Sequence, residues 1–259
     1  MLRFKLVSVA FFIISALLLY LAIEKGVSFW WLALCVLIYS AVVFYGVTYM
    51  SAGFFIKSVC HGPEDKKELC LTFDDGPHSE FTPRILEILK KHTVPAAFFV
   101  IGKNIEGNEA LLKKTDEAGH IIGNHSFLHS FWFDLKSPSG MKLELRQTDE
   151  KIKEVLGKVP LYFRPPYGVT NPPLYKALRG TSYTSIGWNV RSFDTVIEDQ
   201  HTLLDKLKKA LKPGAVYLFH DTNNRTAEIL ESFILYAKEN GYSFVSLETF
   251  VKKDAYAFN

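Results

Sequence analysis

Two patterns of apolar positions divide the chain near residue 57. Before it, uncharged runs cover residues 6–23 and 27–56, separated only by Glu24, Lys25 and Gly26. A membrane-spanning helix needs about 20 mostly apolar residues. The pattern therefore predicts two spanning helices, about 5–24 and 28–50, joined by a tight turn. Trp30 and Trp31 fall at one predicted interface, and Tyr45, Tyr49 or Phe54 near the other. A cleaved signal peptide, begun by Arg3 and Lys5, is the competing reading of the first run. That run is long for the role, and no small-x-small site cleanly precedes Glu24.

Beyond residue 57, short apolar strands alternate with amphipathic helices. "LCLTF" (69–73) reads as a strand, and "TPRILEILKKH" (82–92) as a helix with Thr82 as N-cap and Pro83 at its first position. Then come strand 96–102, helix 108–120, strand 121–125 and helix 140–157. "LYFRPPYG" (161–168) is a strand entering a proline-locked loop. Helix 173–180, strand 183–190, helix 203–214, strand 215–221, helix 226–241 and strand 242–247 complete the series. Such alternation with short connections predicts a parallel sheet covered by helices. Six or seven units are too few for the usual eightfold barrel. The expected organisation is a transmembrane hairpin over 1–57 followed by a catalytic domain over 58–259.

Composition changes this picture little. The 259 residues with 48% hydrophobic content provide one sizeable core. Thirty basic and 27 acidic side chains, net +3, are too balanced to favour a nucleic-acid partner. Cys35, Cys60 and Cys70 form an odd, sparse set, which argues for free thiols over a disulfide framework; a Cys60–Cys70 bridge stays open in an oxidising compartment. Arg3 and Lys5 precede the first span and Lys57, Lys66 and Lys67 follow the second, against Lys25 alone in the turn. The positive-inside rule then favours the cytoplasmic side for both termini and for the large domain.

The candidate chemistry lies just past the strands. Asp74 and Asp75 follow the first strand, and His125 and His129 the third. Arg164 follows "YF", Arg191 and Asp194 follow "WNV", and His220 and Asp221 close "YLFHD". In parallel α/β folds the C-terminal strand ends converge on one mouth, where active sites form. Two histidines four residues apart on one helical turn would point the same way and chelate a divalent metal. A carboxylate from another strand end would complete a set that keeps positions open for water and substrate. Adjacent strand residues point to opposite faces, so Asp74 and Asp75 can share the site only if the chain turns at Gly76-Pro77. One carboxylate would then bind metal and the other take a proton from water, while His220 protonates a leaving amine.

In this order and spacing, "TFDDGP" (72–77), "HSFLH" (125–129), "RPPYG" (164–168) and "LFH" (218–220) resemble four successive motifs of the polysaccharide deacetylase (NodB-homology) family, carbohydrate esterase family 4. The resemblance covers roughly residues 68–250. It implies an irregular (β/α)7 barrel and metal-dependent removal of N-acyl groups from amino sugars. It also makes Asp74 the base, Asp75, His125 and His129 the metal ligands, and His220 the acid. Arg164 would orient Asp74, and the Tyr167 N–H would hold the oxyanion. Pro166, Leu218 and Trp188 would line the substrate pocket, while Ser126 would fix local geometry. Zinc is the default metal, with cobalt or another divalent ion as substitute. The implied partners are an N-acylated amino-sugar glycan or a lipid-linked sugar, together with membrane lipids.

One motif departs from the family pattern. In "WNVRSFDT" (188–195), Arg191 stands where the family shows an aspartate that supports the acid histidine, and Thr195 where it shows a tryptophan. Asp194 is the substitute for that support from three residues along. Two rival classes remain. One is a catalytically inactive sugar- or lipid-binding protein on the same fold, which the complete set of ionisable residues disfavours. The other is a two-carboxylate glycosidase, which needs acids about 5–10 Å apart across a bond; adjacent aspartates fit that poorly.

Overall fold

A computed structural model describes residues 1–257, the side chain of Leu2 apart; the last two positions of the expected catalytic domain lie outside the described residues. The chain opens with helices α1 (Leu2–Lys25) and α2 (Trp30–Thr48), reversed at Gly26, whose φ of 67° suits a residue without Cβ. Both are long and apolar enough to cross a membrane. At 1.5 Å per residue, α2 alone spans about 29 Å.

The rest follows the predicted alternation, with the short β1, α4, β5, α10 and β11 added to it: β1 (Ser58–Val59), β2 (Glu68–Asp74), α3 (Phe81–His92), β3 (Ala96–Val100), α4 (Gly102–Ile105), α5 (Glu109–Glu117) and β4 (Ile121–Asn124). After these come α6 (Pro138–Leu156), β5 (Val159–Pro160), β6 (Tyr162–Phe163), α7 (Pro172–Leu178), β7 (Thr184–Ile186), β8 (Val190–Arg191) and α8 (Gln200–Lys209). The series ends with β9 (Ala215–His220), α9 (Asn224–Glu239), β10 (Ser243–Phe244), α10 (Leu247–Val251) and β11 (Tyr256–Ala257). One sheet runs β1-β7-β6-β4-β3-β2-β9-β8, parallel throughout, with β10 also on β2. A separate antiparallel pair joins β11 to β5. This is the irregular α/β barrel expected from the family motifs.

Several local expectations need correction. The stretch 183–190 is two strands, not one. β7 pairs with β1 and β6, whereas β8 pairs with β9 at the opposite end of the sheet. Only four peptide steps, about 14 Å at full extension, separate Ile186 from Val190. The two sheet edges must therefore lie close together, which curls the sheet into an incomplete barrel. Residues 242–247 hold only the short β10 before α10 begins. Thr82 is not an N-cap: α3 begins at Phe81, and the Thr82 hydroxyl accepts from the His78 N–H (2.8 Å) and donates to Asp221 (2.5 Å). All three cysteines are free.

The period of two along each strand sorts side chains into layers. Leu69, Leu71 and Phe73 of β2 join Phe98 of β3 and Tyr217 and Phe219 of β9 in the core beneath the helices, with Ile85, Leu89, Leu203 and Phe233. The alternate residues Cys70, Ala97, Phe99 and Val216 face Tyr162 and Ile186 in the barrel interior. By the same alternation Asp74 and His220 belong to that interior. A third cluster, with Phe54, Phe55, Phe133 and Leu174, receives Phe4 and Val7 from α1 and Val43 and Val47 from α2. The hairpin is thus seated on the domain, and the Thr170 N–H donates to the Val47 carbonyl at 3.0 Å.

Candidate active site and metal centre

Asp74 is the last residue of β2, register-paired with Phe99 on one side and His220 on the other. Its side chain enters the barrel and is 3% exposed. Burial of a carboxylate requires a partner, and Arg164, fully buried, supplies it: Nη1 donates to Asp74 Oδ1 at 2.6 Å. The guanidinium is fixed by further donation to Thr72 Oγ1 (2.8 Å), Gly187 O (3.0 Å) and Ile186 O (3.4 Å), and lies 4.1 Å from the Phe99 ring centre. Burial raises the Asp74 pKa above the ordinary carboxylate value, against the opposing pull of Arg164. The result is a better proton acceptor than an exposed aspartate.

The next residue would point outward if the strand continued. Instead Asp75 adopts φ 77°, which turns its carboxylate back to the mouth. Its backbone is pinned by Phe99 O (3.2 Å) and by Asn104 Nδ2 on its own carbonyl (2.8 Å). Gly76 follows because a Cβ there would collide with the buried Asp221 carboxylate. The Asp221 carboxyl, pushed up to about 7 by burial, accepts from the Thr82 hydroxyl at Oδ2, and its Oδ1 has no hydrogen-bond partner among the described residues.

His125 and His129 do not share a helical turn. The segment after β4 is irregular, with φ 65° at Ser126 and φ 48° at His129. The two rings nevertheless lie 4.8 Å apart between centres. Side-chain bonds replace the helix: the Ser126 N–H donates to Asn124 Oδ1 (2.8 Å), and the His129 N–H to Ser126 Oγ (3.1 Å). Glu144 of α6, buried, accepts from the N–H groups of Phe127 (3.2 Å) and Leu128 (3.1 Å) and pairs with Lys136. Asn124 donates in turn to Leu145 O (2.8 Å) and Asp149 (2.9 Å). Asn124 and Glu144 are site-building residues that sequence reasoning missed. The available signal was a glutamate on the apolar stripe of α6, beside Met141, Leu145 and Thr148.

His125 Nδ1 lies 2.8 Å from Arg164 O, so it carries the proton and Nε2 faces the mouth as a lone pair. Burial, helped by His129, holds His125 at about 3 and hence neutral. Asp75 Oδ1 lies 3.5 Å from both His125 Nε2 and His129 Nε2, and this buried oxygen has no hydrogen-bond partner among the described residues. One orphaned carboxylate oxygen and two imidazole nitrogens thus converge on one point, within 4.8 Å of one another. This donor set fits a divalent ion with open coordination positions.

On the other flank, His220 is held by Asp194. Asp194 Oδ1 lies 2.8 Å from His220 Nδ1, and Oδ2 accepts the His220 N–H at 2.7 Å. Ser192 (2.8 Å) and Thr226 (2.5 Å) also donate to this fully buried carboxylate. Burial alone would lower the imidazole pKa, but the Asp194 hydrogen bond and charge, with Asp74 and Asp75, raise it to about 9. Arg191 points elsewhere, its guanidinium 4.9 Å from the Phe193 ring centre.

The mouth is walled by Tyr167 and Trp188. Tyr167 sits in a turn, Pro166–Gly168, at φ 56°, its ring 4.6 Å from that of His129. A Cβ at Gly168 would strike Trp188, whose ring lies 5.6 Å from the Arg164 guanidinium. Pro166 and Leu218 are buried beneath.

Comparison with known proteins finds the same architecture. The polysaccharide deacetylase family model matches residues 61–186. A peptidoglycan-N-acetylmuramic acid deacetylase, PdaA of Bacillus subtilis, is 36% identical over 193 residues, covering 72% of each chain. The structure of Bacillus subtilis PdaA, a family 4 carbohydrate esterase, superposes with a TM-score of 0.69 at 34% identity, over 75% of this chain and 85% of that one. A family 4 pseudoenzyme from Bacillus anthracis, BA3943, superposes with a TM-score of 0.69 at 30% identity, over 74% and 68%.

Proposed function

The chain belongs to the polysaccharide deacetylase family and is a carbohydrate N-deacetylase, and on that premise we propose a membrane-anchored, metal-dependent hydrolase that removes N-acetyl groups from amino sugars of a glycan. The observation that carries this reading is the orphaned Asp75 oxygen, 3.5 Å from two histidine nitrogens and beside the Arg164-bound Asp74.

A divalent ion held by Asp75, His125 and His129, zinc by default and cobalt as substitute, would polarise the acyl carbonyl and acidify a water. Asp74 accepts the proton of the attacking water through its free oxygen, while Arg164 on the other oxygen keeps the carboxylate aimed. The Tyr167 N–H, presented by its left-handed turn, donates to the oxyanion. His220, with Nδ1 committed to Asp194, gives the Nε2 proton to the leaving amine as the C–N bond breaks. Acetate and a free amino sugar result. Pro166, Leu218 and Trp188 form the acyl side of the pocket. The complete set of base, ligands and acid disfavours an inactive binding protein.

We assign residues 1–57 to a retained two-span hairpin and 58–259 to the catalytic domain. Phe4, Val7, Val43 and Val47 cover the cluster around Phe54, Phe55 and Phe133, which supports retention, since cleavage would expose that cluster. Basic residues on the domain side of both spans support a cytoplasmic domain.

The test uses the full chain in detergent, with acetate release measured from N-acetylglucosamine oligomers. Dipicolinate is expected to stop release, Zn2+ or Co2+ to restore it, and Asp74→Asn to abolish it. Full activity of the metal-free protein or of Asp74→Asn rejects the mechanism. An active alkaline phosphatase fused to the C-terminus would overturn the cytoplasmic assignment.

A further inference from the structure

The end of α2 and the catalytic mouth lie side by side. A cavity of about 450 Å³ separates them, lined by Phe44 and Tyr49 on one side and by Tyr167 and Trp188 on the other. Thr170 and Asn171, neighbours in the chain, tie the end of α2 to a turn of the catalytic domain. Thr170 donates to Gly46 O (3.3 Å) and Val47 O (3.0 Å). Asn171 Nδ2 donates to Asp134 O at 2.7 Å, in the turn that follows the His125–His129 segment. Residues 131–135 therefore stand at the level of residues 46–47 of α2, between the exposed Tyr45 and Tyr49. Aromatic residues at the end of an apolar helix mark the depth of the lipid headgroups.

This turn carries its apolar side chains outward. Phe131, Trp132 and Leu135 are exposed at 73%, 62% and 77%. Phe133 points the other way, fully buried in the cluster that receives α1 and α2. The backbone fixes the display: the Phe133 N–H donates to Ser130 O (2.8 Å) and the Leu135 N–H to Trp132 O (3.1 Å). Asp134, the acid of the turn, buries its Oδ1. A contiguous exposed apolar patch marks an interaction site, and two features select lipid over glycan. The Phe131 and Trp132 rings meet at 82°, so they share no flat face on which a sugar could stack. Leu135, the most exposed of the three, has no ring to offer. Tryptophan and phenylalanine beside leucine suit the boundary between headgroups and acyl chains.

We propose that residues 131–135 dip into the bilayer that α1 and α2 cross, as a second membrane contact carried by the catalytic domain itself. The inference rests on the retained hairpin and adds a site outside it. The turn begins two residues after His129, and Phe131 packs edge-on to Tyr167, ring centres 6.4 Å apart. A contact there, off the hairpin axis, holds the Tyr167 rim of the mouth against the membrane surface.

The test uses the full chain in phosphatidylcholine nanodiscs, with Cys35→Ala removing the thiol that is not buried; Cys60 and Cys70 are buried. A fluorescent maleimide is attached to Leu135→Cys, to Leu37→Cys in α2, or to Glu117→Cys at the end of α5 opposite the mouth. Lipids carrying a nitroxide near the headgroup end of one acyl chain then act as quencher. The labels on Leu135→Cys and Leu37→Cys should each lose about half of their fluorescence, and that on Glu117→Cys none. Quenching at Leu37→Cys without quenching at Leu135→Cys overturns the inference and leaves the hairpin standing, whereas quenching at neither overturns both. Equal quenching at Glu117→Cys also overturns it, because the contact would not belong to the turn. The glycan alternative is read in detergent, where there is no bilayer. There Trp132→Ala should keep kcat/KM for a soluble N-acetylglucosamine tetramer within about threefold of wild type, and a larger fall overturns the inference in favour of a sugar subsite.

Discussion

Asp194→Asn isolates how the acid is tuned. Asp194 gives His220 its charge partner at 2.8 Å and holds the imidazole pKa at about 9. Asparagine keeps the shape but removes the charge. Burial, which alone lowers the histidine pKa, then dominates, and the value falls to the ordinary 6.5 or below. The sign follows directly: an acid with a raised pKa stays protonated as pH rises, so the wild-type rate should hold until about pH 9. At pH 8 an acid of pKa 9 is about 90% protonated, and one of pKa 6.5 about 3%. The variant should therefore lose about thirtyfold in kcat/KM at pH 8 and much less at pH 6. The assay is the pH profile of kcat/KM for acetate release between pH 5 and about 10, with both proteins loaded with the same metal. The expected result is an alkaline limb displaced by two or more pH units. An alkaline limb that stays in place in a folded Asp194→Asn would refute the claim that His220 is the acid and Asp194 its tuner. The same linkage acts on stability: the His220 contribution is full below about pH 6.5 and lost as pH rises through about 9.

Other expectations follow from the same geometry. Asp75→Asn should lose stoichiometric zinc by mass spectrometry of the purified protein, because the shared oxygen between the two histidines is weakened as a ligand. Arg164→Met strands the Asp74 carboxylate in the barrel interior and should cost about 3–5 kcal/mol, read as a fall in the melting temperature; an unchanged melting temperature would contradict the pairing. Glu144→Gln loosens the 125–129 segment without touching a ligand and should weaken zinc affinity about tenfold or more in chelator competition. Gly46→Leu drives a side chain into Phe54 and should undock α2 from the domain, seen as faster proteolysis after residue 50.

Much of the site was legible in sequence because the sheet is parallel and its strand ends meet at one mouth. Asp74, His125, Arg164 and His220 each follow an apolar run, and the run predicts where its end goes. The two-residue period also explains why Asp74 enters the barrel while Phe73 faces the helices. The errors arose where backbone departs from regular form. Thr82 looked like a cap because its neighbours are Pro83 and a helix; its hydroxyl is instead bound to Asp221, 139 residues away in sequence. The 183–190 strand looked continuous because apolar pattern carries no information about which neighbour a strand pairs with. The histidine pair looked helical because a spacing of four usually is; here Asn124, Ser126 and Glu144 build the turn from side chains.

By itself, then, the sequence determined the two apolar helices, the order of the longer strands and helices, and the identity of the ionisable groups. These depend on local periodicity and on residue chemistry, which are written along the chain. Only the tertiary structure decided the geometry by which Asp75 turns inward, φ 77°, the two-point hold of Asp194 on His220, and the cavity that Tyr167, Trp188 and the end of α2 share. Each of these depends on groups far apart in sequence being brought together by packing, and no local pattern encodes that distance.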